Sequence, residues 1–168
     1  MRRLTAVAAL ATLVCELGNL CAAPEKRIDL AVIISKKDAE SALGEAVNDP
    51  QPRNEGGADG YYSRCNYYSQ NPGRSLVLRV RQASEGQLTP AKQLEELIAG
   101  SGRIKPISGL GDKAALASEG AEKGLSHVLM LYVTKGNAFV TVGIGGINDE
   151  KVALEKAKAL ARKILAKL

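Results

Sequence analysis

Two stretches of alternating apolar residues near the end of the chain constrain its fold more than any other feature. Seven apolar residues occupy every second position there: Leu129, Leu131, Val133, Ala138, Val140, Val142 and Ile144. A period of two is typical of β-strands that bury one face. Gly136 separates the stretches, so residues 126–135 and 137–145 are predicted to form a β-hairpin.

A second hairpin is predicted from residues 61–69 and 75–83, because Asn71-Pro72-Gly73 between them suits a tight reversal. In the second strand, one face carries Leu76, Leu78 and Val80, and these alternate with Val77, Arg79 and Arg81. One face of this hairpin is therefore expected to meet the core and the other to meet water.

Three helices are predicted around these hairpins. Ser35 and Asp38 resemble a capping box that opens a helix to about Val47. Thr89 and Pro90 begin a second helix, which runs to about Ala99. Residues 148–168 form the third helix, with Asn148 as its cap. Residues 48–60 are predicted to be an exposed loop, and residues 103–122 a mixed link that contains a turn.

The predicted order is therefore α-β-β-α-β-β-α. It indicates an α+β fold in which two hairpins make an antiparallel sheet and the helices pack on one face of that sheet. Apolar residues make up 45% of the chain and charged residues 24%, which excludes disordered and fibrous classes. Residues 23–168 have the length of a single domain.

The first 22 residues have the pattern of a secretory signal peptide. Arg2 and Arg3 precede an apolar run that ends at Cys15, and small residues follow at positions 21–23. The expected location is periplasmic or extracellular, with no stable membrane span after removal of the signal. Lipid anchoring is the alternative, although Leu20 stands before Cys21 where a small residue is preferred. The mature chain would carry 21 basic and 17 acidic residues, and this mild excess identifies no partner.

Cys65 would be the one cysteine after signal removal, so an intramolecular disulfide is excluded. A buried apolar thiol is the favoured interpretation, and a thiol-dependent enzyme that uses Cys65 and His127 is the alternative. His127 is the only histidine in the chain, which excludes a metal site built from several histidines. We expect no catalytic residues, metal or cofactor.

Tyrosine and arginine are concentrated in the first hairpin, which holds four of the five tyrosines. Both residue types are favoured at interfaces, and arginine binds carboxylate or phosphate groups bidentately. The predicted contact residues are Tyr61, Tyr62, Arg64, Tyr67, Tyr68, Arg79 and Arg81. Their partner would be a protein, a peptide or an anionic envelope ligand, and the export signal disfavours nucleic acid. Tyrosines that only cover the sheet are the alternative.

Three short segments carry a resemblance to a known group of proteins: residues 38–44, Cys65-Asn66-Tyr67, and residues 107–114. The chain resembles exported bacterial proteins of unknown function, namely actinobacterial lipoproteins and the extracellular sensor-like domains of receptor kinases. It differs from them in having no clear lipobox and no second mature cysteine. The resemblance implies an exported α+β binding or sensing domain.

These observations predict an exported or cell-envelope binding or sensor-like protein without catalytic activity, whose contact surface is the hairpin of residues 61–82. A thiol-dependent enzyme and a structural envelope component are the alternatives.

Overall fold

The structure, a computed structural model, describes residues 26–119 and 127–168. The predicted signal peptide, residues 1–22, lies outside the described residues. The helices are α1 (Leu30–Ile33), α2 (Lys36–Leu43), α3 (Pro90–Gly100) and α4 (Glu150–Leu165). The strands are β1 (Gln51–Gly57), β2 (Gly60–Tyr68), β3 (Ser75–Ala83), β4 (Lys105–Ile107), β5 (Lys113–Glu119), β6 (Val128–Lys135) and β7 (Ala138–Gly145).

The seven strands form one antiparallel sheet with the order β1-β2-β3-β7-β6-β5-β4. The α+β class and the antiparallel sheet are thus confirmed. The two predicted hairpins correspond to β2–β3 and β6–β7, and they join through the pairing of β3 with β7. Seven strands stand where four were predicted.

The additional strands lie in segments that were predicted to be a loop and a link. β1 occupies most of the predicted loop at residues 48–60, and β4 and β5 lie within residues 103–122. β1 is an edge strand whose residues are nearly all exposed, so it carries no apolar alternation. β5 buries only the small side chains of Ala114 and Ala115, which give a weak hydrophobic signal.

The prediction that all helices pack on one face is wrong. α1, α2 and α4 cover one face, which we call the core face. α3 packs on the opposite face, which we call the α3 face, and its contacts are with β5, β6 and β7. There Leu94 of α3 lies in a second apolar cluster with Ala115 and Phe139. All eight residues of β7 are buried, since this central strand is covered on both sides.

Local signals in the sequence account for most of the helix ends. The capping box of Ser35 and Asp38 is present, and α2 ends at Leu43 because Gly44 adopts the left-handed conformation. Asp149 caps α4 in place of the predicted Asn148. Among the described residues, none of the helices is both long and apolar enough to cross a membrane.

Candidate functional site

The pleat of β2 and β3 divides the predicted contact residues between the two sheet faces. Side chains alternate along a strand, so Tyr62 and Arg64 of β2 share the α3 face with Arg79 and Arg81 of β3. Cys65 of β2 points to the core face. Tyr68 has the same parity, so five of the seven predicted residues share this face, and four of them adjoin one another.

Two arginines stand directly opposite each other at the centre of this group. In the antiparallel register Arg64 pairs with Arg79, and on the outer side Arg53 of β1 pairs with Arg64. Three adjacent strands thus present arginines in one row on the α3 face. Like charges in directly opposed positions destabilise a sheet, so this row opposes folding unless other charges compensate it.

Compensation of the arginine row is incomplete. The Glu55 carboxylate lies 3.0 Å from the guanidinium of Arg53 and 3.6 Å from that of Arg64. Arg79 is exposed, and its side chain makes no hydrogen bond or ion pair with the residues that the structure describes. The row therefore has one carboxylate, that of Glu55, for three guanidinium groups.

Arg81 occupies a different environment, because its side chain is only 8% exposed. Its terminal nitrogens donate hydrogen bonds to the carbonyl oxygens of Leu88 and Asp59, each at 3.0 Å, and to Oε1 of Gln93 at 2.9 Å. Its Nε atom is buried without a hydrogen-bond acceptor. The nearest carboxylate oxygen, Oδ2 of Asp59, lies 3.6 Å away, which is close enough for ionic attraction and too far for a hydrogen bond.

These side chains line an open groove of about 320 Å³ between the start of α3 and the sheet. The lining residues are Asp59, Tyr62, Arg64, Arg79, Val80, Arg81, Gln87, Leu88, Gln93, Phe139 and Thr141. Leu88 lies just before α3, and Phe139 and Thr141 lie on β7. The groove therefore combines three arginines with apolar and hydroxyl-bearing side chains.

Tyr62 and Asp59 form one end of the groove. The Tyr62 hydroxyl donates a hydrogen bond to Asp59, which lowers the pKa of that carboxyl and raises the pKa of the phenol. The guanidinium of Arg64 lies 5.8 Å from the centroid of the Tyr62 ring, a cation–π distance. Gly60 sets this turn, because a Cβ there would lie 2.2 Å from the carbonyl oxygen of Gln82.

The other three predicted contact residues lie elsewhere. Tyr67 is fully buried on the core face, so its assignment to the contact surface is corrected. Tyr61 shares the parity of Tyr67, and the guanidinium of Arg27 lies 5.2 Å from its ring centroid. Tyr68 is 40% exposed at the far end of β2 and does not line the groove.

Cys65 and His127 are far apart. β3 and β7 lie between β2 and β6, a separation of about 14 Å at ordinary strand spacing. Cys65 is fully buried, and burial raises the pKa of its thiol. Nε2 of His127 lies 2.9 Å from Oγ of Ser118. The arrangement does not support a thiol–imidazole pair.

Several groove residues were not predicted from the sequence. Leu88, Gln93, Phe139 and Thr141 enter the site only because α3 folds onto the second face of the sheet. The apolar stripe of α3 and the sequence of β7, in which Thr141 is the one polar residue, were the available signals, since a strand buried on both sides needs a cover on each.

No protein-family model matches this chain, and no curated protein sequence is significantly similar to it. Within residues 26–119 and 127–168, no three histidine, cysteine, aspartate or glutamate side chains are grouped so that they could hold a metal ion.

Proposed function

We propose that this protein is an exported binding or sensor-like protein that holds an anionic ligand on the α3 face of the β2–β3 hairpin. The observation that carries the proposal is the direct opposition of Arg64 and Arg79, with no counter-ion for Arg79 among residues 26–119 and 127–168. The contact residues are Tyr62, Arg64, Arg79 and Arg81.

The energetics of the arginine row favour anion binding. Two opposed guanidinium groups repel each other, and a carboxylate or phosphate between them would replace this repulsion with two attractions. Arginine presents donors in a planar fork that matches both kinds of anion. A surface residue with a purely structural role gains nothing from this opposition.

A binding role fits the groove better than catalysis does. Asp59 already accepts a hydrogen bond from the hydroxyl of Tyr62, and neither Cys65 nor His127 lines the groove. The thiol-dependent alternative would need two residues that the sheet keeps apart. In a purely structural envelope component, no ligand would offset the repulsion between Arg64 and Arg79.

The proposed export is supported by the signal-peptide pattern of residues 1–22. Fractionation of cells that express the full chain should place the protein outside the cytoplasm. Deletion of residues 2–15 should retain it in the cytoplasm. Equal distribution of the two forms would contradict the export proposal and leave the binding proposal intact.

Titration calorimetry with inorganic phosphate at low ionic strength tests the binding proposal. Arg79→Gln should raise the Kd at least tenfold, because it removes the uncompensated charge. Arg103→Gln is the matched control, since Arg103 is 77% exposed, pairs with Glu119 and lies outside the groove. Binding that is equal in both variants, or absent from the wild-type protein, would refute an anion site at Arg79.

A further inference from the structure

We propose that the groove selects organic anions, in which a carboxylate or phosphate group is joined to an apolar ring or chain, over bare inorganic anions. This inference rests on the proposed function and adds the class of ligand. The anionic group would contact Arg64 and Arg79, and the apolar part would lie against Leu88 and Phe139.

The size of the groove is the first argument. Its volume of about 320 Å³ lies at the lower end of the range of roughly 300–1,000 Å³ that small-molecule sites occupy. A water molecule takes about 30 Å³ of liquid, so a bare phosphate ion would leave most of the groove filled with water. A ligand that uses the whole groove needs a body beyond its charged group.

The apolar wall is the second argument. Leu88 is 39% exposed, although leucine is among the residues that are most often buried. Phe139 lies on the neighbouring wall and contacts the tilted ring of Tyr132 at a centroid distance of 6.2 Å. A ring or alkyl chain in the groove would remove the side chain of Leu88 from water.

The unsatisfied Nε of Arg81 is the third argument. This donor belongs to a side chain that is more than nine-tenths buried and lines the groove. A buried donor without an acceptor destabilises the folded state. Nε itself is inaccessible to solvent, so an oxygen atom of a ligand would satisfy it once the side chain of Arg81 shifts toward the groove. The ligand is therefore expected to enter the groove rather than stay at its exposed rim.

The test compares phenyl phosphate with inorganic phosphate by titration calorimetry on the full chain. We expect phenyl phosphate to bind at least tenfold more tightly to the wild-type protein. Leu88→Ala should reduce this preference to threefold or less. Val152→Ala is the control, because Val152 is 43% exposed on α4 and lies outside the groove.

The two proposals fail in different ways. If Arg79→Gln weakens both probes and Leu88→Ala leaves their ratio unchanged, the organic-anion inference is overturned and the anion site stands. If Arg79→Gln affects neither probe, both proposals are overturned. Linear polyphosphate that binds more tightly than phenyl phosphate, independently of Leu88, would also overturn the inference, because a polymer would then be the preferred class. Circular dichroism of each variant checks that it is folded.

Discussion

The hydroxyl of Tyr67 donates a hydrogen bond to the backbone carbonyl of Ile34, and both residues are fully inaccessible to solvent. Tyr67 lies on β2, and Ile34 follows α1, so the bond connects the sheet to the first segment that covers the core face. A tyrosine that the sequence placed among contact residues thus holds two layers of the fold together.

Tyr67→Phe should lower the free energy of unfolding by about 1–3 kcal/mol, because it leaves the buried carbonyl of Ile34 without this donor. Urea denaturation measures the change. Tyr68→Phe is the control, since Tyr68 is 40% exposed and its hydroxyl lies 3.4 Å from Asn66. Equal stability of both variants would show that the buried bond contributes nothing.

Cys65 should react with a thiol reagent only after unfolding. Its side chain is fully buried, and burial raises the pKa of the thiol, so the reactive thiolate is both scarce and inaccessible. The test uses the full chain with Cys15→Ser and Cys21→Ser, so that Cys65 is the remaining thiol. Gln70→Cys in the same background is the exposed control and should react at once. Rapid labelling of native Cys65 would revive the thiol-dependent alternative.

Asp38 should contribute stability that is lost in acid. Burial alone would raise the pKa of its carboxyl, but hydrogen bonds from Lys163 and Ser35 outweigh burial and lower it. A group whose pKa falls on folding stabilises the protein fully above its unfolded pKa of about 3.9, and this stabilisation disappears as the pH falls through the folded pKa.

Asp38→Asn should therefore lower the Tm at pH 7 and reduce the loss of Tm between pH 5 and pH 2. Thermal unfolding across this range measures both effects. Asp49→Asn is the control. Asp49 also pairs with a lysine, Lys36, but its side chain is 91% exposed. Parallel Tm curves for the wild-type protein and Asp38→Asn would contradict the lowered pKa.

Arg81→Gln should destabilise the fold by about 3 kcal/mol, since Arg81 is a buried charge that holds the segment before α3 and the turn at Asp59. Arg53→Gln should cost less than about 1 kcal/mol, because its ion pair with Glu55 is exposed. Guanidinium unfolding of the two variants gives the comparison. If Arg81→Gln lowers the free energy of unfolding as little as Arg53→Gln does, the contacts of Arg81 add no stability.

The sequence predicted the four strands whose apolar alternation is strong, and the helices whose caps are clear. It did not predict β1, because an exposed edge strand such as Gln51–Gly57 needs no buried residues, only a partner. It also could not show that α3 covers the opposite face, since an apolar stripe on a helix does not state which side of a sheet it meets. The wall of the groove that Gln87, Leu88 and Gln93 form depends on that choice.

The contact surface was predicted in part for the same reason. Strand parity separates Tyr62 and Arg64 from Tyr67, and this separation was available from the sequence once β2 was placed. The partners of Arg81 could not be predicted from the sequence, because turns and a helix bring Leu88, Gln93 and Asp59 to it.

The pairing of β2 with β3 makes correct folding and possession of the groove inseparable. A slip of β3 by one residue would turn Arg79 and Arg81 toward α1, α2 and α4, and would turn Leu78 toward water. Such a misregistered chain would have to bury two guanidinium groups in an apolar layer. Molecules that reach the stable fold therefore have β3 in the correct register, and with it the arginine row.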